Sequence, residues 1–359
     1  MAFIIPIILI ITGILRPKSV LATILFVAYF IVIMGLNIKT PDYDTYEKVY
    51  DPLYITLVED NYEIGFKGLV LLCNYFGLSY QEFRVVVSIL FSVCVVFASR
   101  KLSLYPNYLL TLLLIWPFLP GVSGLRQTLA NAVMLCGIPH LAYDDKKHLI
   151  KYVIWILLAW SIHQSALFYL LFILGKREFG NKEVRYIVYA TVGGICILGF
   201  SQFLGNISFI QNNHKLDKWL NIAADQGADH QNFAGFAIRT FLVIINAYGV
   251  TKLYNIIVSK SHIETFQIRL LRICRNVSLL ICLTIPGYII SGEYQRLLYG
   301  AMFLYSVVFA SFHYMINEKR YQMYKLIPFF LFLLTAWYYT FSMTSHDVLA
   351  TLTDNLLFK

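Results

Sequence analysis

The stretch that decides the fold consists of two apolar runs joined by a short turn, NYLLTLLLIWPFLPGVSGLRQTLANAVMLCGIPHLAY at residues 107–143. Each run predicts a membrane helix, and the turn Gly121-Val-Ser-Gly-Leu-Arg126-Gln127 places Arg126 where the second helix begins. An arginine at membrane depth is costly unless it faces a cavity or a partner, so Arg126 indicates a functional site. The simpler alternative is a guanidinium that reaches the membrane surface while its aliphatic part packs against apolar neighbours.

The whole chain has the composition of an integral membrane protein. Of its 359 residues, 58% are hydrophobic and 14% are charged, which is too apolar for a soluble protein of this length. No long hydrophilic block interrupts the apolar runs, so residues 1–359 are predicted to form a single all-α polytopic membrane domain. Arg16 and Lys18 follow the first apolar run instead of preceding it, which favours a retained helix over a cleaved signal peptide.

The apolar runs predict about 12 transmembrane helices, some of them short. They lie near residues 2–15, 19–36, 84–99, 107–119, 125–143, 148–162, 164–175, 185–204, 236–258, 272–290, 297–316 and 326–343. The pair between Leu149 and Leu174 is either a hairpin broken near His163 or one long helix. The six cysteines have no metal-ligand spacing and form no disulfide framework, so we expect neither a metal nor another cofactor.

Basic residues concentrate in alternate turns of the chain, and this sets the predicted orientation. The turns predicted to be cytoplasmic contain Arg16 and Lys18, Arg100-Lys101, Lys146-Lys147, Lys176-Arg177 with Lys182 and Arg185, Arg269 with Arg272 and Arg275, and Lys319-Arg320 with Lys325. On this scheme 19 of the 29 basic residues but only 6 of the 20 acidic ones are cytoplasmic. Both termini are then outside. The pI near 9.1 reflects this asymmetry, so no nucleic-acid partner is expected.

Two long loops face outward on this scheme, at about residues 37–82 and 205–235. Loops of this length in a compact membrane protein are usually functional, although the second can also be a disordered tether. The first contains the acidic turn TPDYDTYE at residues 40–47. Its apolar end, Gly65–Leu78, predicts a short interfacial or re-entrant helix.

Three arginines converge on the predicted outer face. Arg126 and Arg239 each begin a predicted helix, and Arg296 follows another. Because arginine keeps its charge and offers a planar pair of donors to phosphate oxygens, three of them suit a pyrophosphate. The simpler explanations are that Arg239 only reaches the membrane surface and that Arg296 pairs with Glu293 at a helix end.

Acidic residues and one histidine accompany the arginines, and they could supply a general base or hold sugar hydroxyls. The candidates, in order of preference, are Asp44, Asp42, His163 and Glu293. A turn after Pro41 is the ordinary use of the two aspartates, and His163 can be a hydrogen-bonded residue that only breaks a helix. The candidates for contact with sugar are Tyr43, Tyr46 and Gln127, and Tyr62 and Tyr294 are further possibilities for sugar or lipid contact.

An ordered set of motifs resembles the EpsG-like branch of the Wzy polysaccharide polymerases. The motifs are Pro41-Asp42-Tyr43-Asp44-x-Tyr46, Glu63-x-Gly65-Phe66, Gly124-Leu125-Arg126-Gln127, His163-Gln164-Ser165-Ala166, Gly235-Phe236-x-x-Arg239 and Arg296. Each motif is weak by itself, but their order over about residues 37–305 is fairly specific.

The resemblance implies a GT-C-like multispan glycosyltransferase of the bacterial cytoplasmic (inner) membrane that makes O-antigen, lipopolysaccharide or exopolysaccharide. Such enzymes transfer the growing glycan from undecaprenyl pyrophosphate to the non-reducing end of another lipid-linked repeat, with inversion and on the outer face. By analogy, Arg126, Arg239 and Arg296 would bind the pyrophosphate and stabilise the leaving group. Membrane lipids and a chain-length regulator are the other expected partners.

Three other functions remain open. A lipid-linked oligosaccharide flippase is expected to carry charges along a path through the bilayer, whereas these candidates lie at one face. An O-antigen ligase shares the arginine chemistry. If the protein is a structural subunit, the three arginines have no function that explains their position at membrane depth.

Overall fold

The computed structural model describes residues 4–40, 42–57, 62–205, 233–260, 265–290, 294, 296–342 and 355–356, and these residues are overwhelmingly helical. The α-helices are α1 (Ile4–Leu15), α2 (Val20–Gly35), α3 (Tyr43–Val49), α4 (Pro52–Leu57), α5 (Ile64–Tyr75), α6 (Tyr80–Leu102), α7 (Pro106–Ile115), α8 (Phe118–Gly121), α9 (Leu125–Leu141), α10 (Lys146–Ile162), α11 (Asn181–Gly205), α12 (Phe233–Lys260), α13 (Thr265–Leu280), α14 (Gly287–Ile290), α15 (Leu297–Met315) and α16 (Ile327–Ser342). The 3₁₀-helices are Gln164–Lys176, Ile281–Thr284 and Lys319–Leu326. The all-α prediction is confirmed.

Each apolar run that predicted a membrane span is helical in the structure, although several runs are divided. Among the described residues, α6, α12 and α15 are long and apolar enough to cross a membrane as one uninterrupted helix. The run predicted at residues 272–290 is split between the end of α13, the 3₁₀-helix Ile281–Thr284 and α14. The membrane character of the chain is therefore clear, and the number of crossings stays a prediction.

The helical pair around His163 is a hairpin, so the alternative of one long helix is wrong. His163 has extended backbone angles, φ −152° and ψ 126°, directly after the end of α10. The Tyr152 hydroxyl donates to the Tyr169 carbonyl at 2.6 Å, which joins the two arms. A single helix cannot bring together residues 17 positions apart, because its rise separates them by about 25 Å.

The loops of the bundle gather at two ends, separated by the length of α6, about 34 Å at 1.5 Å per residue. At one end, here called the basic end, Asn107 donates to the Arg16 carbonyl at 2.9 Å and Arg269 pairs with Asp144 at 2.5 Å. Arg272 pairs there with Glu178 at 2.8 Å. The basic end thus contains the turns that the charge pattern assigns to the cytoplasm.

The other end, here called the Arg126 end, contains the first long loop. Residues 43–57 and 64–75 of that loop form α3, α4 and α5, and α5 confirms the helix predicted within Gly65–Leu78. Asn37 forms an isolated antiparallel bridge with Asn355, and the Leu356 amide donates to the Leu36 carbonyl at 3.0 Å. Residues 206–232, almost the whole second loop, lie outside the described residues.

Candidate functional site

Arg126 lies in the first turn of α9, where the sequence predicts it. The loop before the helix is fixed by the Thr128 hydroxyl, which donates to the Gly121 carbonyl at 2.6 Å. The Arg126 guanidinium is directed to the first long loop, where its Nη1 contacts Glu63 Oε2 at 2.8 Å and its Nε contacts the Tyr46 hydroxyl at 3.4 Å. The Arg126 and Glu63 side chains are only 19% and 16% exposed, so this ion pair is largely shielded from water.

Three aromatic rings surround the Arg126 guanidinium. Its Cζ lies 4.5 Å from the centre of the Tyr62 ring, 5.6 Å from Phe66 and 5.9 Å from Tyr46. Cation–π attraction strengthens in a desolvated setting, so the rings offset part of the cost of burying the charge. The result is a cationic group held in a fixed orientation at the Arg126 end.

Glu63 connects Arg126 to the His163 hairpin. Its second oxygen, Oε1, accepts a hydrogen bond from the Gln164 backbone amide at 2.8 Å. The start of α5 reaches the end of α10 because residue 65 is glycine: a Cβ there would lie 2.7 Å from the Ser161 carbonyl oxygen. Glu63 belongs to the motif Glu63-x-Gly65-Phe66, but nothing in the sequence indicates that it meets residues 126 and 164.

His163 lies beside this ion pair, between α10 and the following 3₁₀-helix. Its Nδ1 accepts a hydrogen bond from the Ser165 amide at 3.2 Å, because a backbone amide can only donate. Burial lowers the pKa of His163 to about 4, with Arg126 and Arg296 acting in the same direction and Glu63 opposing them. The ring is therefore neutral at physiological pH, and its remaining nitrogen, Nε2, carries the proton and can donate.

The other two arginines occupy different surroundings. Arg296, just before α15, acts electrostatically on His163, as Arg126 does. Arg239 is 5% exposed in the second turn of α12, and its charge acts on Tyr288 of α14. Within the part of the chain that the structure describes, Arg239 Nε and Nη1 have no hydrogen-bond partner. A buried guanidinium with two unused donors is costly and indicates a missing anionic or polar partner.

The remaining predicted residues differ in their positions. Asp42 lies at the start of α3 and accepts a hydrogen bond from the Ser123 hydroxyl at 3.3 Å, which brings it to the Arg126 loop. Asp44 is exposed on the same helix, and Gln127 is buried beside Arg126 in α9. Glu293 lies outside the described residues.

Tyr43 contacts Arg84, a buried residue that the sequence does not identify as part of the site. Its hydroxyl donates to Gln81 at 3.2 Å, and its ring lies 5.2 Å from the guanidinium carbon of Arg84. Arg84 is fully buried and donates to the Met34 carbonyl at 3.0 Å and the Tyr80 hydroxyl at 3.2 Å. It joins α2, α3 and α6 beneath the site. The only signal in the sequence is a charge at the edge of an apolar run.

Comparisons with known proteins give a match at the level of the protein family. Neither the curated proteins nor the solved structures yield a match to this chain. The sequence model of the EpsG family matches residues 19–352, a range that contains Glu63, Arg126, His163, Arg239 and Arg296. Since this range covers nearly the whole chain, the protein belongs to the EpsG family.

Proposed function

We propose that this protein is a polysaccharide polymerase acting on the outer face of the bacterial cytoplasmic membrane. In the proposed reaction, the growing glycan moves from undecaprenyl pyrophosphate to the non-reducing end of a second lipid-linked repeat, with inversion. A GT-C-like arrangement of about 12 membrane helices is part of this proposal. Membership of the EpsG family supports a membrane protein of polysaccharide synthesis, and the site geometry supports the finer statement.

The observation that carries the proposal is the shielded cationic group at the Arg126 end. Arg126 sits in an aromatic cage with Arg296 and His163 nearby, and these positive and hydrogen-donating groups suit a diphosphate. Arg126 and Arg296 would hold the pyrophosphate of the donor and stabilise the charge that develops as it leaves. Arg239, buried with two unused donors in the described residues, would bind a further phosphate oxygen.

The aromatic residues of the first long loop suit the sugar next to the pyrophosphate. The ring centres of Tyr62 and Tyr46 lie 4.5 Å and 5.9 Å from the Arg126 guanidinium carbon, and each residue combines an aromatic ring with a hydroxyl group. Tyr43 and Gln127 remain proposed sugar contacts on the basis of their position beside these residues. A separate chain-length regulator is a proposed partner.

The experiment is reconstitution of the wild-type protein in liposomes with undecaprenyl-pyrophosphate-linked repeat units from the source strain. A ladder of longer lipid-linked glycans supports the polymerase. A flippase would leave single repeats and move them across the bilayer, and a ligase would attach glycan only when given a terminal acceptor. Either of these outcomes contradicts the proposal.

A further inference from the structure

Arg126 is the central cation of the site, yet a carboxylate already occupies it. The Glu63 oxygen 2.8 Å from Nη1 takes a position in which a phosphate oxygen would bind. Arg126 Nε faces the Tyr46 hydroxyl, so two of the five N–H donors of this guanidinium are engaged by residues of the first long loop. A pyrophosphate that takes the Nη1 donor must displace Glu63 from it.

We propose that Glu63 is the proton acceptor of the transfer reaction, held inactive by Arg126 until a pyrophosphate takes its place on the guanidinium. This inference rests on the proposed polymerase function and adds a catalytic residue to it. It also predicts that donor binding and activation of the base are a single event.

The chemistry of the pair explains the activation. While Glu63 Oε2 accepts the Arg126 hydrogen bond, it faces the guanidinium instead of a sugar hydroxyl. When a phosphate takes Arg126, Oε2 can accept a hydrogen bond from the acceptor hydroxyl instead, which is the geometry that a general base needs. The Gln164 amide still donates to Oε1, so the Glu63 carboxylate stays in place when Oε2 loses its contact with Arg126.

The proposed step balances in atoms and charge. The acceptor hydroxyl loses its proton to Glu63 Oε2 as its oxygen forms a bond to the anomeric carbon of the donor. The bond between that carbon and the pyrophosphate oxygen breaks with its electron pair, and the lipid pyrophosphate leaves. Protonated Glu63 then returns its proton to water and pairs again with Arg126 once the pyrophosphate has left.

The other described candidates suit this role less well. His163 uses Nδ1 to accept the Ser165 amide, so its neutral ring presents a donor. Asp44 is exposed on the outer surface of α3. Asp42 reaches the Arg126 loop through one hydrogen bond of 3.3 Å from Ser123, and within the described ranges it forms no ion pair that a substrate would release.

The test compares Glu63→Gln with Glu63→Asp in the liposome assay and in binding of undecaprenyl pyrophosphate. Glutamine keeps an oxygen for Gln164 but cannot take a proton, so we expect polymerisation to fall by about 100-fold or more. Binding of undecaprenyl pyrophosphate should be as tight as in the wild type or tighter, because the competing carboxylate is gone. Aspartate should restore part of the polymerisation rate that glutamine loses.

The matched control is Glu178→Gln, which neutralises the carboxylate of the pair at the basic end and should leave both readouts unchanged. Rates are normalised to the folded fraction in detergent, so a loss of stability does not imitate a loss of catalysis. If the polymerisation rate of Glu63→Gln is within a few-fold of the wild-type rate, the inference about Glu63 is wrong and the proposed polymerase function is unaffected. Equal loss of binding and polymerisation, with aspartate no better than glutamine, overturns the inference in favour of a structural role. A wild-type protein that does not polymerise contradicts the proposed function itself.

Discussion

Two arginine–glutamate pairs lie at opposite ends of the bundle with the same separation and different surroundings. Arg126–Glu63 and Arg272–Glu178 both have an N–O distance of 2.8 Å. The carboxylate of the first pair is 16% exposed and that of the second is 85% exposed. Water stabilises Glu178 whether or not it is paired, whereas Glu63 depends on its partners.

The comparison shows that shielding, more than the ion pair itself, distinguishes a candidate site in this protein. Exposed pairs contribute about 0–1 kcal/mol and tolerate loss of one partner. A shielded pair leaves an uncompensated charge when one partner is removed, and it responds strongly to a competing anion. The aromatic cage of Arg126 has no counterpart among the recorded contacts of Arg272.

The largest expected effect is loss of polymerisation on removing Arg126. Arg126→Ala should lower glycan polymerisation by at least about 100-fold, because the proposed stabiliser of the pyrophosphate leaving group is gone. The protein should still insert, which membrane fractionation and immunoblotting check. Arg272→Ala and the exposed Arg100→Ala, both at the basic end, serve as controls. Equal loss in all three variants at equal protein level contradicts a site at the Arg126 end.

A second test separates function from stability at Arg239. Because two of its buried donors have no partner in the described residues, Arg239→Met should leave thermal stability unchanged or higher. Polymerisation should fall about 10-fold or more through the lost phosphate contact. Thermal unfolding in detergent and the liposome assay measure the two effects. A fall in stability without a fall in rate would show that Arg239 is structural.

A third prediction concerns how Glu63 is delivered to the site. Gly65→Ala should cost about 1–3 kcal/mol, because the new methyl group meets the Ser161 backbone and forces α5 away from α10. The same displacement should reduce polymerisation in the folded fraction. Gly68→Ala, three residues later in α5, is the control, since a Cβ at residue 68 has no atom within 4 Å. This variant should be neutral or slightly stabilising.

The smallest effect is a pH dependence from His163. Its folded-state pKa of about 4 is below the usual 6.5, so between these pH values His163 binds a proton in the unfolded chain but not in the folded protein. The contribution of His163 to the free energy of unfolding is therefore complete above about pH 6.5 and is lost as the pH falls to about 4. His163→Asn should flatten thermal stability over this window. An unchanged pH profile in the variant contradicts the assignment.

Local features of the sequence predicted the helices and the place of Arg126 in the fold. Hydrophobic runs and the charge at their edges are properties of neighbouring residues, so α6 and α9 could be predicted directly, whereas the sequence left the pair around His163 open between a hairpin and one long helix. The grouping of Arg126 with Glu63 could not, because these residues are 63 positions apart and meet only through packing of a loop on a hairpin. The acidic pair Asp42 and Asp44 in the first long loop favours Asp44 as the base, but such a pair carries no information about exposure.

The bridge between Asn37 and Asn355 allows the orientation of the protein in the membrane to be measured without a substitution at the candidate site. Since this bridge fixes residue 356 at the Arg126 end, a chemical label at Leu356, which is 50% exposed, reports the compartment that the whole site faces. A Leu356→Cys variant in a background with Cys196 replaced by serine can be treated in spheroplasts with a maleimide that does not cross membranes. Labelling of intact spheroplasts assigns the end to the exterior, whereas labelling only after permeabilisation assigns it to the cytoplasm. One accessible thiol, at a residue outside the proposed catalytic set, can thus decide which compartment the candidate site faces.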